Sequence, residues 1–176
     1  MKTTVTSLAI LVLLISLCLT ANSELPRSET RVDGSLPNFP HAVSFEGFQD
    51  VFKRNAIGDA IVITAVHGTS KEISIGETYR IDGAYTLASQ DEASLAAYVT
   101  SKDPDAPDRY TIPGQSVRIS KGSGTFTVHL KVEDRGCPHV SFYPLERGTS
   151  FAGEYFGTGD FVPPNSWRLS NKVAAK

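Results

Sequence analysis

Cysteine is nearly missing from this chain: Cys18 and Cys137 are the only two among 176 residues, and Cys18 falls inside the apolar N-terminal run. A protein left with one thiol has no internal disulfide to draw on, so its stability must come from a hydrophobic core. Methionine and tryptophan occur once each, as Met1 and Trp167. No Asn-x-Ser/Thr acceptor is present, and no apolar run approaches the roughly 20 residues that a bilayer-spanning helix needs. A basic excess is also lacking, with 17 Lys and Arg against 19 Asp and Glu, which excludes the electrostatic footprint of a nucleic-acid binder. Serine-hydrolase chemistry lacks its Gly-x-Ser-x-Gly elbow, and phosphate cradling lacks its third glycine, since Gly157 and Gly159 in FGTGDFVPP precede no helical pattern.

What is present begins with Lys2, the apolar run Leu8 to Leu19, and the polar stretch Thr20-Ala21-Asn22-Ser23. These are the parts of a secretory signal, with cleavage placed after Ser23. The expected location is therefore secreted or extracytoplasmic, periplasmic in a Gram-negative cell, with no transmembrane segment after cleavage. Cys18 at the end of LISLC raises lipid anchoring as an alternative, but Leu17 stands where a lipoprotein signal carries a small residue. Loss of residues 1–23 leaves a length suited to one domain. Residues 24–40 are polar and proline-bearing and read as a disordered lead or tether. The domain is expected over 41–170, followed by a frayed tail at 171–176.

Hydrophobic periodicity gives the fold class. Phe45, Phe48 and Phe52 lie at helical spacing and predict one short helix. From Ile61 onward the period is two. IVITAVHG is apolar on both faces, which predicts a central strand, and TYRIDGAYTLA puts Tyr79, Ile81, Gly83, Tyr85 and Leu87 on one face. A hairpin loop is expected at Ser89 to Ser94, before a strand Leu95 to Val99. A second hairpin turns at Lys121-Gly122-Ser123-Gly124, with Phe126, Val128 and Leu130 inward and Thr127, His129 and Lys131 outward. HVSFYP and FAGEYFGTGDFV add further strands. Seven or eight strands with turn signals between them predict an all-β, antiparallel β-sandwich of jelly-roll type. The pattern is similar, in architecture alone, to the jelly-roll modules that accompany extracellular polysaccharide enzymes, and architecture does not imply function.

Candidate chemistry is sparse. In GCPHVSFYP an extended chain puts Cys137, His139, Ser141 and Tyr143 on one face. Thiolate plus imidazole suits zinc or copper, yet a third ligand is required, and nothing in spacing ties His41, His67 or His129 to the pair. A blue-copper resemblance fails on the missing methionine. A cysteine nucleophile would need its base at better geometry than i and i+2 on a strand provide. The adjacent carboxylates Asp91 with Glu92, and Glu133 with Asp134, point apart when extended, and a hydrolase would have to assemble its site from distant positions. Asp103, Asp105 and Asp108 could gather calcium but lack the glycine of a calcium loop, so a solvated acidic loop explains them.

Aromatic side chains remain. Tyr98 falls on the face opposite Leu95 and Val99, Tyr110 sits in the proline-rich loop, and Trp167 follows Pro163-Pro164. An amphipathic ring offers apolar area with a polar tip, so Tyr98, Tyr110 and Trp167 are the expected ligand-binding residues, suited to a sugar ring. The expectation is an exported, non-catalytic binding or adhesion module, with polysaccharide or cell-surface material as partner and neither metal nor cofactor assigned. A metal-binding or redox protein built on Cys137 and His139 is the alternative.

Overall fold

The computed structural model describes residues 34–49, 58–101, 111–146 and 148–169. The expected signal segment, Phe52, the Asp103–Asp108 loop, Tyr110 and the tail lie outside these residues. Residues 34–40 carry no regular structure. The elements are β1 (His41–Ala42), β2 (Glu46–Phe48), β3 (Ala60–Gly68), β4 (Thr78–Ser101), β5 (Ser116–Lys131), β6 (Gly136–Tyr143), β7 (Ala152–Gly157), a 3-10 turn (Gly159–Phe161) and α1 (Asn165–Leu169). All pairings are antiparallel and build one seven-stranded sheet in the order β1-β3-β4-β6-β7-β2, with β5 on the other edge of β4. The all-β, antiparallel class read from the sequence is present, as a curled, half-barrel sheet. Among the described residues no helix is long and apolar enough to cross a membrane.

The curl comes from β4. Its first half pairs with β3 through Thr86, its second half pairs with β6 from Ser94, and β5 accompanies both halves along the opposite edge. Between the halves the register slips, so that residues 88–91 of β4 lie across from Lys121 alone. An irregularity of this kind bends a strand and lets it pass from one packing direction to another. Asp59 fixes the bend: its Oδ1 accepts from the backbone N–H of Ala88 at 2.7 Å and of Ser89 at 3.0 Å, and its Oδ2 accepts from Ser89 Oγ at 2.5 Å.

Two expectations are corrected here. Ser89 to Ser94 is not a hairpin loop, and Lys121 to Gly124 is not a turn, because β4 and β5 run through both. The polar and glycine-rich residues serve the corner instead. Gly122 takes a φ of 118°, open to glycine at little cost, and Gly124 lies under the Tyr85 ring, where a Cβ would come within 2.9 Å of it. Gly83 is likewise covered by its partner Phe126. Gly124 and Gly83 thus each accept an aromatic ring from across the ladder.

β3 also departs from its expected form. It buries Ile61 and Ile63 but leaves Val62 46% exposed, and a bulge between Ile63 and Ala65 then shifts the phase so that Val66 is buried. One face, not both, enters the core. The outer edge of β3 is paired by β1 only at His67 and Gly68; Val43 N–H donates to the Val66 carbonyl at 2.9 Å, and two side chains meet the edge beyond. Gln49 Nε2 donates to the Ile61 carbonyl at 3.2 Å, and Ile63 N–H donates to Glu154 Oε2 at 2.6 Å. Glu154 belongs to β7, so this bond joins the two ends of the curl.

Of the stretch expected as a short helix from Phe45, Phe48 and Phe52, residues 46–48 form strand β2, and Phe45 precedes it without regular structure. β2 pairs with β7, and Gly47, which argues against a helix, is needed because a Cβ there would overlap Glu154 Oε1. Inside the curl a single cluster gathers Ile61, Ile63, Tyr79, Ile81, Leu87, Leu95, Phe126, Val128, Leu130, Val140, Phe142 and Phe156. The facing read from period two holds for Tyr79, Ile81 and Leu87 and for Phe126, Val128 and Leu130, all buried.

Asp59→Ala is expected to lower unfolding stability by about 2–3 kcal/mol in urea, since it strands two backbone donors at the bend. Glu154 is buried, and that burial raises its pKa above the ordinary carboxylate value despite the opposing bonds from Ile63 and Gln49. A raised folded pKa means that stability falls as pH climbs from the ordinary value through the raised one. Glu154→Gln should remove that fall when unfolding is followed between about pH 4 and 7.

Candidate functional site

GCPHVSFY forms β6, between β4 and β7, and Pro144 follows its end. Pro138 has no N–H, and it lies one residue beyond the last β6–β7 pair, His139 with Tyr155, where no donor is called for. Register then builds a row across the outer face of this half: Tyr98 pairs with His139, His139 with Tyr155, and Tyr155 with Phe48. Ring contacts follow the ladder. Tyr98 meets Tyr143 edge-on at 5.4 Å and His139 at 6.3 Å; His139 lies 5.0 Å from Tyr155, which lies 5.8 Å from Trp167 of α1. Beside this row run three small, buried residues, Ala96, Ser141 and Gly153. Ser141 Oγ is buried and has no hydrogen-bond partner among the described residues.

His139 is the polar centre of the cluster. Nε2 lies 3.1 Å from Tyr143 Oη, and Nδ1 lies 3.4 Å from the Cys137 carbonyl and 3.3 Å from Thr100 Oγ1, which in turn contacts Tyr155 Oη at 3.1 Å. A neutral ring with Nδ1–H directed to the Cys137 carbonyl and the Tyr143 hydroxyl donating to Nε2 satisfies these contacts. Burial supports that state, since it lowers the His139 pKa to about 4 against a weaker opposing bond from the Cys137 carbonyl. Tyr155 moves the other way: burial raises its pKa, so its hydroxyl stays protonated.

The geometry speaks directly to the Cys137 and His139 pair. The Cys137 thiol is buried and donates to the Val162 carbonyl at 3.4 Å, while both nitrogens of His139 face oxygen partners. Among the described residues no three His, Cys, Asp or Glu side chains gather as a metal site would require. The thiol proton is directed to the Val162 carbonyl, and the two imidazole nitrogens lie against the Cys137 carbonyl, the Thr100 hydroxyl and the Tyr143 hydroxyl.

Of the three aromatic residues singled out from the sequence, Tyr98 and Trp167 join the same row through His139 and Tyr155, and Tyr110 lies outside the described residues. Tyr98 is only 7% exposed, so it serves as floor, whereas Tyr143, Tyr155 and Trp167 are half-buried. Sequence reasoning missed Tyr143 and Tyr155. Tyr143 was legible from its shared face with His139, but Tyr155 needed the β6–β7 register.

Comparison with protein-family models, with curated proteins and with solved structures returned no match. The chemistry of the site therefore rests on its own residues.

Burial that holds the His139 folded pKa near 4 sets a pH dependence of fixed sign. The unfolded chain takes up a proton below the ordinary imidazole value and the folded chain does not, so the His139 contribution to stability rises with pH from about 4 to about 6.5 and is level above, opposite in sign to that of Glu154. The full difference corresponds to about 3 kcal/mol. The His139 imidazole resonances should titrate with a midpoint near 4, and His139→Gln should flatten the slope of unfolding free energy across that window.

Proposed function

We propose that this chain is an exported, non-catalytic binding module that takes carbohydrate on the half-buried rings of Tyr143, Tyr155 and Trp167. In this reading the two halves of the bent sheet act as the layers of a jelly-roll-like sandwich, and the ligand lies on an outer face because the space between the halves is filled by core side chains. The supporting observation is the ordered aromatic row itself. Tyr143 and Tyr155 are held through their hydroxyls by His139 and Thr100, and Trp167 stands beside Tyr155. Rings fixed in place by packing and hydrogen bonds lose little freedom on binding, which favours affinity for a flat apolar sugar face. The neutral, fully engaged His139 fits a positioning role rather than acid–base chemistry. Polysaccharide or cell-surface glycan is the partner class.

Trp167→Ala should weaken retention on insoluble polysaccharides such as cellulose, chitin or xylan by about tenfold, equivalent to about 1.4 kcal/mol, with little change in urea unfolding. Tyr143→Phe, which keeps the ring but frees His139 Nε2, should weaken it less. Retention unaltered by Trp167→Ala would remove the basis for this function.

A further inference from the structure

The outer face of the other half carries a second constellation. His67 of β3, Arg80 of β4 and His129 of β5 are consecutive cross-strand partners, on the face opposite the buried Tyr79, Ile81, Val128 and Leu130. Two of the chain's four histidines thus flank one arginine. On the next rung Asp82 pairs with Thr127. Asp82 Oδ2 accepts from Arg80 Nε at 3.0 Å, and Oδ1 accepts from Thr127 Oγ1 at 2.7 Å. Both carboxylate oxygens are engaged, and the guanidinium is oriented through Nε, with Nη2 3.5 Å from His67 Nδ1. The Arg80 side chain is 42% exposed, and its Nη1 makes no hydrogen bond among the described residues.

His129 is fixed from the other side. It stacks on Phe39 with centroids 5.5 Å apart and lies against Gly114, where a Cβ would come within 2.7 Å of Nδ1. That nitrogen is buried and meets no partner at full hydrogen-bond geometry among the described residues, although the Gly114 and Pro113 backbone lies near the ring. Burial chiefly, and Arg80 in addition, hold the His129 pKa below the ordinary imidazole value. Protonating the imidazoles would place like charges at neighbouring cross-strand positions, which disfavour one another without a counter-ion. A local rule broken on an ordered, partly exposed surface marks a binding function, and an oxyanion between the three side chains reverses the sign of their interaction.

We propose that His67, Arg80 and His129, with Thr127 beside them, bind a sulfate or phosphate ester group, the guanidinium offering forked donors and the imidazoles flanking N–H groups. Binding strengthens as pH falls, and the lowered pKa of His129 puts its share of the gain below the ordinary imidazole value. The groups facing His67 are Arg80 and Asp82 from β4, with Ala42 of β1 contributing no charge; those facing His129 are Arg80 and Asp82, with Phe39 and Gly114 uncharged. Lys131, next along this face of β5, is paired with Glu133 at 3.1 Å. Imidazole protonation is therefore the change that adds donors to the row. The site is separate from the aromatic row, and its failure would leave the polysaccharide reading untouched.

The test is retention of the full chain on dextran sulfate and on phosphocellulose, against uncharged dextran and cellulose, at about pH 5 and about pH 7.5, well below and above the ordinary imidazole value. Ester-bearing matrices should retain the protein about tenfold more strongly at the lower pH, and inorganic sulfate or phosphate should compete, the stronger competitor identifying the ester. Arg80→Gln should abolish the gain over the uncharged matrix, and Arg80→Lys, which keeps the charge but loses the fork, should reduce it with an unchanged urea midpoint. His67→Gln with His129→Gln should erase the pH dependence. Lys121→Gln, the same charge change at an exposed lysine paired with Asp91, should leave retention unaltered. Equal losses in Lys121→Gln and Arg80→Gln, or no preference for the charged matrices, would overturn the site.

Discussion

One strand belongs to both halves of this protein, and the rest of the structure follows from how it bends. β4 carries 24 residues, far longer than a flat strand could bury in a domain of this size, and it solves the problem by folding at residues 88–91. The Asp59 carboxylate provides acceptors where the regular ladder is interrupted. With the bend held, inward faces from β3, the two parts of β4, β5, β6 and β7 converge on one interior without a disulfide. Glu154 then secures the far side by accepting the N–H of Ile63, a bond that a purely backbone ladder could not supply because β3 and β7 are not sheet neighbours.

The strand faces were legible because period two survives wherever one side is buried. Tyr79, Ile81 and Leu87 read correctly, as did Phe126, Val128 and Leu130. The corner was not legible, and the reason is physical. A bend in a continuous ribbon requires the same polar and glycine residues as a hairpin turn, so SQDE and KGSG look identical in either role. Only the long-range partner, Asp59, distinguishes them. Val62 misled for a related reason: apolar residues on both faces suggest a central strand, but the bulge after Ile63 changes which face is inward, and an apolar surface residue is unexceptional.

The site shows the same division. Alternation alone grouped Cys137, His139, Ser141 and Tyr143 on one face, which the structure bears out. What that face could do depended on information that alternation lacks. Burial makes His139 neutral, and the hydroxyls of Tyr143 and Thr100 and the carbonyl of Cys137 occupy its nitrogens, which turns a ligand type into a support for neighbouring rings. Tyr155 and Trp167 enter through the β7 register and the short helix, neither of which local pattern could place beside His139.

A filled interior constrains where recognition can occur. Among the described residues the curl closes on aliphatic and aromatic side chains, so the polar and half-buried groups that could meet a partner lie on its outer surfaces. Those surfaces differ in kind. The half made by β4, β6 and β7 turns out half-buried rings around a neutral imidazole, whereas the half made by β3, β4 and β5 turns out an arginine between two imidazoles with a saturated carboxylate behind it. The same strand supplies Tyr98 to the first and Arg80 to the second, so the bend that encloses the core also sets an apolar and a cationic surface on opposite stretches of one ribbon.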